Sequence, residues 1–251
     1  MMDGWASERF EAADRTALAY HLEGQGRPVV MIHGFLASSE YNWINPGIAD
    51  RLVGAGFRVV ALDLRGHGQS EAPTDPARWP VDVLADDGFA LLAHLGLTDY
   101  DLVGYSLGAR TAARMLVRGA APRRAVLGGM GASGIMEAGA RAEMFRDSIL
   151  NGEQAKDPAA GRRVRAMIEA SHLNPDAMLG VLSSFAPTSE ADLRTVAIPT
   201  LVISGVDDHD NGSAEDLAAI LPNGRSERIP GNHLSAVGAP LGRAIVDYLT
   251  A

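Results

Sequence analysis

A serine, a histidine and a cluster of carboxylates carry the chemistry available to this sequence. Gly104-Tyr105-Ser106-Leu107-Gly108 follows the apolar run Tyr100-Asp101-Leu102-Val103 and opens a segment of helical periodicity at Leu107, Thr111, Met115 and Arg118. A G-x-S-x-G sequence between a strand and a helix is a nucleophile elbow: it exposes a serine hydroxyl on a sharp turn, and the glycines remove side chains that would clash there. The hydroxyl becomes a useful nucleophile only beside a base that is itself oriented by an acid. Downstream, the strand-like Thr200-Leu201-Val202-Ile203-Ser204 ends in Gly205-Val206-Asp207-Asp208-His209-Asp210, and Ile229-Pro230-Gly231-Asn232-His233-Leu234 places a histidine in a loop framed by Pro and Gly. Asp207, Asp208 and Asp210 are the candidate acids and His233 the candidate base. Upstream, Ile32-His33-Gly34-Phe35 runs a strand into a glycine turn, where the Phe35 amide, with that of Leu107, can stabilise the oxyanion of a tetrahedral intermediate. The chemistry implied is acyl transfer through a serine.

Each residue also has a plainer role. Ser106 fits a helix N-cap, the commonest use of serine at such a junction. His67 fits a loop-stabilising position in Arg65-Gly66-His67-Gly68, His94 the polar side of a helix, His209 a neighbour of the acids, and His172 a solvated helix position or a pocket position. Trp43, Tyr105, Met130, Met136 and Phe145 are candidate pocket walls, although apolar residues in such places more often serve as core.

Composition narrows the alternatives. The absence of cysteine removes disulfides, thiolate metal sites and a cysteine nucleophile together, and the single lysine, Lys156, lies in the polar stretch Asn151–Pro158. No metal or organic cofactor is required. A formal charge of −9 with scattered arginines opposes nucleic-acid binding. The chain begins Met1-Met2-Asp3-Gly4-Trp5, without a basic or apolar leader, and nowhere runs apolar for a membrane span, so a soluble cytoplasmic protein that does not engage membranes is expected. The sequence carries no signal for oligomeric state.

Those residues need a scaffold. Phe10–Ala12 and Leu18–Leu22, around a turn at Asp14-Arg15, read as an antiparallel hairpin. Short apolar runs at 29–32, 58–62, 101–103, 125–127 and 200–203 then alternate with helical patterns, which predicts an α/β fold with a parallel sheet covered on both faces. Helices are expected at Pro46–Val53, across Leu84, Leu91, Leu92 and Leu95, and at Pro240–Leu249. From about Ser133 to Val196 helical periodicity continues without a strand, through Met144, Phe145, Ile149, Val164, Met167, Ile168 and His172, as in an insertion of several short helices. Gly129-Met130-Gly131-Ala132-Ser133-Gly134 matches G-x-G-x-x-G but lacks the compact βαβ unit of a dinucleotide site. A flexible exit from the sheet is the better account.

With Asp63-Leu64-Arg65-Gly66-His67-Gly68-Gln69-Ser70 after the second parallel strand and the order Ser, Asp, His, the chain resembles the α/β-hydrolase superfamily over nearly all its length outside the insertion. The resemblance implies a mostly parallel eight-stranded sheet with the second strand antiparallel, a core of residues 1–132 and 197–251, and a helical cap of residues 133–196 inserted after the sixth strand. It selects Asp208, three residues after Gly205, as the acid. It also implies a serine hydrolase acting on small-molecule carboxylic esters, with Ser106, His233 and Asp208 as the triad. C–C hydrolase, lactonase, thioesterase and cofactor-free perhydrolase chemistry would use the same apparatus. Relatives acting on C–C bonds commonly follow the histidine with tryptophan, where this chain has Leu234. Those acting on haloalkanes or epoxides place aspartate at the elbow. A small-molecule receptor on this scaffold is the non-enzymatic alternative, and its usual mark is a damaged triad.

Overall fold

Apolar strands separated by amphipathic helices satisfy their backbones most simply in a parallel sheet covered on both sides. The computed structural model, which describes residues 5–251, has that form; the expectation for Met1-Met2-Asp3-Gly4 lies outside those residues. Strands β1 (Ala6–Glu11), β2 (Ala17–Gly24), β3 (Arg27–Ile32), β4 (Phe57–Leu62), β5 (Asp101–Tyr105), β6 (Ala125–Gly128), β7 (Thr200–Gly205) and β8 (Gly224–Ile229) make one sheet in the order β1-β2-β4-β3-β5-β6-β7-β8. β2 is antiparallel to both neighbours and every other junction is parallel.

Alternate residues of each strand serve opposite cores. Val30, Ile32, Val60, Leu62, Leu102, Leu127 and Val202 pack with helices α2 (Val83–His94), α3 (Leu107–Val117) and α9 (Ala214–Ile220). Val29, Met31, Val59, Ala61, Val103, Val126 and Ile203 pack with α1 (Ile48–Gly54) and α10 (Ala239–Thr250). This two-sided burial is why the strands read as unbroken apolar runs. Between β6 and β7 the chain forms α4 (Ala132–Met136), α5 (Ala138–Asn151), α6 (Pro158–Ala170), α7 (Pro175–Ser183) and α8 (Glu190–Leu193). Among the described residues no helix is long and apolar enough to cross a membrane.

Register brings the chemical loops to one edge. Ile32 pairs with Gly104, Tyr105 with Gly128, Gly128 with Ile203, and Gly205 with Ile229. The loops bearing Phe35, Ser106, Asp208 and His233 therefore all leave the carboxyl ends of adjacent strands, where open α/β sheets bind ligands. The Gly129–Gly134 stretch has a packing role there: the Gly131 and Gly134 amides both donate to Asn211 O, at 3.1 and 2.9 Å, and a Cβ on Gly131 would fall 2.4 Å from Gly212 backbone. Small residues let the exit from β6 lie directly on the acid-bearing loop.

Asp63 ties the opposite side of that edge. Its carboxylate accepts from the amides of Ser39 and Gln69 at 2.8 and 2.9 Å and lies 3.3 Å from His21 Nε2. Burial pushes the carboxyl up, but the His21 contact and those amides outweigh it and hold it at about 2, below the ordinary 3.8. A carboxyl whose folded value is depressed stabilises the fold fully above its unfolded value, and that contribution is lost as pH falls through the folded one. Asp63→Asn is therefore expected to cost about 2 kcal/mol at pH 7 and to flatten the loss of stability between pH 4 and 2. Urea unfolding at several pH values checks it; a parallel pH profile in the variant would contradict the assignment.

Candidate active site

The elbow is held by close backbone contact. A Cβ on Gly104 would sit 2.2 Å from Gly108 O, and one on Gly108 would sit 1.9 Å from Ile32 O, so only glycine lets α3 start against β5 and β3. Ser106 takes φ 53°, ψ −116°, a conformation L-residues rarely adopt, and its side chain makes no capping bond to α3. The N-cap role is thus absent, and the hydroxyl is turned to the histidine.

His233 Nδ1 lies 2.9 Å from Asp208 Oδ2, and its Nε2 lies 3.0 Å from Ser106 Oγ. An ionised carboxylate only accepts, so Nδ1 carries the proton in the neutral ring and Nε2 accepts from the serine hydroxyl. Burial raises the Asp208 carboxyl, but the His233 hydrogen bond and charge outweigh it and leave it below the ordinary value. Asp208 is buried, whereas Asp207 and His209 are exposed; Asp210 lines the cleft bonded to Arg141 at 3.2 Å. Tyr105 fixes the histidine loop by donating its hydroxyl to His233 O at 2.7 Å. Asn211 donates to Gly129 O at 2.9 Å and its Nδ2 lies 3.4 Å from His233 Nδ1.

Among the described residues the amides of Phe35 and Leu107 meet no acceptor, that of Leu107 because it begins a helix. Phe35 is aimed by its neighbour. Leu64 N–H donates to His33 Nε2 at 3.0 Å, which fixes the proton on Nδ1, and Nδ1–H donates to Gly34 O at 2.8 Å. Burial drives the His33 ring toward its neutral form. The Gly34 carbonyl and the Phe35 N–H belong to one trans peptide and point in opposite directions, so anchoring the first orients the second. Gly34 N–H is held in turn by Asn42 Oδ1 at 2.7 Å. His33→Leu is expected to lower kcat about 10- to 100-fold with a much smaller change in KM, as for a misaimed oxyanion donor; steady-state kinetics on a short ester checks this, and a change confined to KM would contradict it.

Two cavities meet at Ser106. One, of about 240 Å³, is lined by Leu107, Arg110, Met130, Leu182 and Phe185; the other, of about 310 Å³, by Tyr41, Tyr105, Met144, Met167, His233 and Leu234. Phe35, Ser106, Arg141, Phe145 and Asp210 line both, and the Phe35 and Phe145 rings meet edge to face at 5.0 Å. Asp208, Asp210 and His233 could bring three metal-ligand atoms within 4.8 Å of one another, but Asp208 and His233 are bonded together and Asp210 to Arg141.

Of the expected pocket residues, Tyr105, Met130 and Phe145 line the cleft. Three do not. Trp43 is fully buried against Tyr105 in the core beneath α1, because the segment carrying it folds into a π-helical turn at Glu40–Ile44. Met136 packs half-buried on the other core. His172 follows α6 rather than continuing it, at φ 51°, and is exposed. Sequence reasoning also passed over Arg110, Arg141 and Asn211. Arg110 was recoverable: four residues after Ser106 on a helix, it shares the nucleophile's side. Asn211 depends on how its loop folds and carries no local signal.

A family model for the alpha/beta hydrolase fold matches residues 27–129. A non-heme haloperoxidase of Rhodococcus erythropolis is 31% identical over 251 residues, spanning 88% of this chain and 90% of its own. The 2-hydroxymuconate semialdehyde hydrolase of Pseudomonas putida is 29% identical over 231 residues, spanning 80% and 76%. Among solved structures, an esterase from Rhodococcus sp. ECU1013 is similar with a TM-score of 0.73 and 25% identity, over 98% of each chain.

Proposed function

The chain belongs to the α/β-hydrolase superfamily, and on that premise we propose that it is a serine hydrolase cleaving small-molecule carboxylic esters through an acyl-enzyme. The observation carrying this reading is the continuous relay from Ser106 Oγ to His233 Nε2 at 3.0 Å and from His233 Nδ1 to Asp208 Oδ2 at 2.9 Å, at the mouth of two cavities.

In the mechanism, Ser106 Oγ attacks the ester carbonyl carbon and its proton passes to His233 Nε2. The carbonyl oxygen becomes an oxyanion and accepts from the Phe35 and Leu107 amides, while Asp208 balances the imidazolium. Collapse breaks the bond to the alcohol oxygen, which takes the proton from His233. Water then attacks the acyl carbon, gives a proton to His233, and the second collapse returns that proton to Ser106 Oγ. Ester and water become acid and alcohol, with no other reactant. Because His233 lines the larger cavity, the departing alcohol is assigned there and the acyl group to the smaller one beside Leu107. Residues 133–196, which supply Phe145 and Phe185, are assigned as a cap that sets substrate size.

The resemblance to a non-heme haloperoxidase favours one second reading. Hydrogen peroxide attacking the same acyl-enzyme in place of water would release a peracid and restore the serine. A panel of short and long acyl 4-nitrophenyl esters, a lactone, a thioester and a dienone acid, each with and without peroxide, separates these activities. Ester hydrolysis is expected to dominate; peracid formation outpacing hydrolysis would favour the second reading, and no ester turnover would contradict the first.

A further inference from the structure

We propose that Arg110 recognises a carboxylate on the acyl part of the substrate, so that the favoured esters are monoesters of short dicarboxylic acids. This assignment rests on the acyl-enzyme reading above for which end of the substrate lies in which cavity.

Arg110 is 5% exposed, yet among the described residues no carboxylate pairs with it. Its Nη2 donates to Gly134 O and its guanidinium lies 5.3 Å from the Phe185 ring centre. The contrast within the same chain is Arg65, also buried, which is held by Asp87 at 2.8 Å and Asp14 at 2.7 Å. A buried guanidinium without a counter-charge is costly unless a ligand supplies one. Burial and the charge of Arg114 lower Arg110 to about 10, so it remains a cation at neutral pH.

Beyond the bond to Gly134 its donors are not sealed, and Arg110 borders both the cleft at Ser106 and a much smaller cavity beside Asp82 and Arg114. Arg110 lies one helical turn past the nucleophile, its own amide donating to Ser106 O at 3.1 Å. Helical side chains lean toward the N-terminus, so this one leans toward the end of α3 that Ser106 begins. Because Ser106 and Arg110 line one cavity of about 240 Å³, an acid that reaches both is a short one. A planar fork of donors is also the group that grips a carboxylate with two parallel bonds. The other charges lining this cavity do not compete: Asp210 is bonded to Arg141, and Glu137 makes no ion pair with Arg110.

The test compares isosteres, mono-4-nitrophenyl glutarate against 4-nitrophenyl valerate. The net charge of −9 disfavours the anion at long range, so a preference for it must arise locally. The expected kcat/KM ratio is about 10 or more in the wild type, falling at least about 10-fold in Arg110→Gln and recovering in part in Arg110→Lys. An arginine that only ties α3 to Gly134 would lower both esters together and leave the ratio unchanged, which overturns the proposal, as does a wild-type ratio near or below one. Titration of glutarate into Ser106→Ala, with and without Arg110→Gln, separates the two readings. Arg110-dependent binding without any ester turnover would retain the carboxylate site and reject the esterase. Ser106-dependent turnover with neither charge preference nor glutarate binding would do the reverse.

Discussion

Replacing Ser106 by alanine is expected to lower kcat for any ester the protein turns over by about five to six orders of magnitude, the loss typical of removing a triad nucleophile. Purely structural serines do not behave this way. The Ser106 hydroxyl caps no helix, so alanine removes no bond that holds α3, and the strained φ of 53° is set by the backbone contacts of Gly104 and Gly108 rather than by the side chain. The melting temperature is accordingly expected to stay within about 2 °C of the wild type. Residual turnover should remain above the uncatalysed rate, since the Phe35 and Leu107 amides still polarise a bound carbonyl. A loss of less than about tenfold would reject Ser106 as the nucleophile.

The largest effect on stability is expected two residues further on. Gly108→Ala would place a methyl carbon 1.9 Å from Ile32 O and 2.8 Å from His33 O, both backbone atoms of the central sheet edge that no rotamer change can move. Overlap of this kind forces α3 off β3, and we expect at least about 4 kcal/mol of destabilisation, or about 10 °C in melting temperature for a chain of this length. Turnover falls with it, because the same shift opens the gap between Leu107 N–H and the oxyanion. Gly54→Ala is the control. Gly54 ends α1 with no atom within 4 Å of the place a methyl would take and no left-handed φ, so alanine there should be neutral or stabilising by up to about 1 kcal/mol. Thermal melts of the two variants side by side test whether the elbow, and not glycine content in general, is what the fold depends on.

How legible the molecule was depends on where each feature's cause lies. Strands buried on both faces announce themselves as apolar runs, and the elbow, the His33-Gly34 turn and the two late loops follow the ends of such runs, so their meeting at one edge follows from parallel register alone. Asp208 was separated from Asp207 only by resemblance; the physical cause is that Asp207 turns to solvent while Asp208 lies under His233. Trp43 was misplaced, and of the two readings of His172 the solvated one holds and the pocket one fails, for local reasons. A π-helical turn carries Trp43 into the core, and a left-handed backbone after α6 carries His172 out of helical register. The roles of His33 and Asn211 depend on contacts across more than twenty residues, with Leu64 and His233, which no local pattern encodes.

The central claim is a covalent acyl group on one oxygen. Intact-mass and peptide mass spectrometry after mixing with a slowly deacylating 4-nitrophenyl ester, or with a fluorophosphonate probe, reads it directly. The account predicts one adduct per chain, on the peptide containing Ser106, absent in Ser106→Ala and formed far more slowly in His233→Ala. Full ester turnover with no adduct, or with the adduct on another residue, would contradict it.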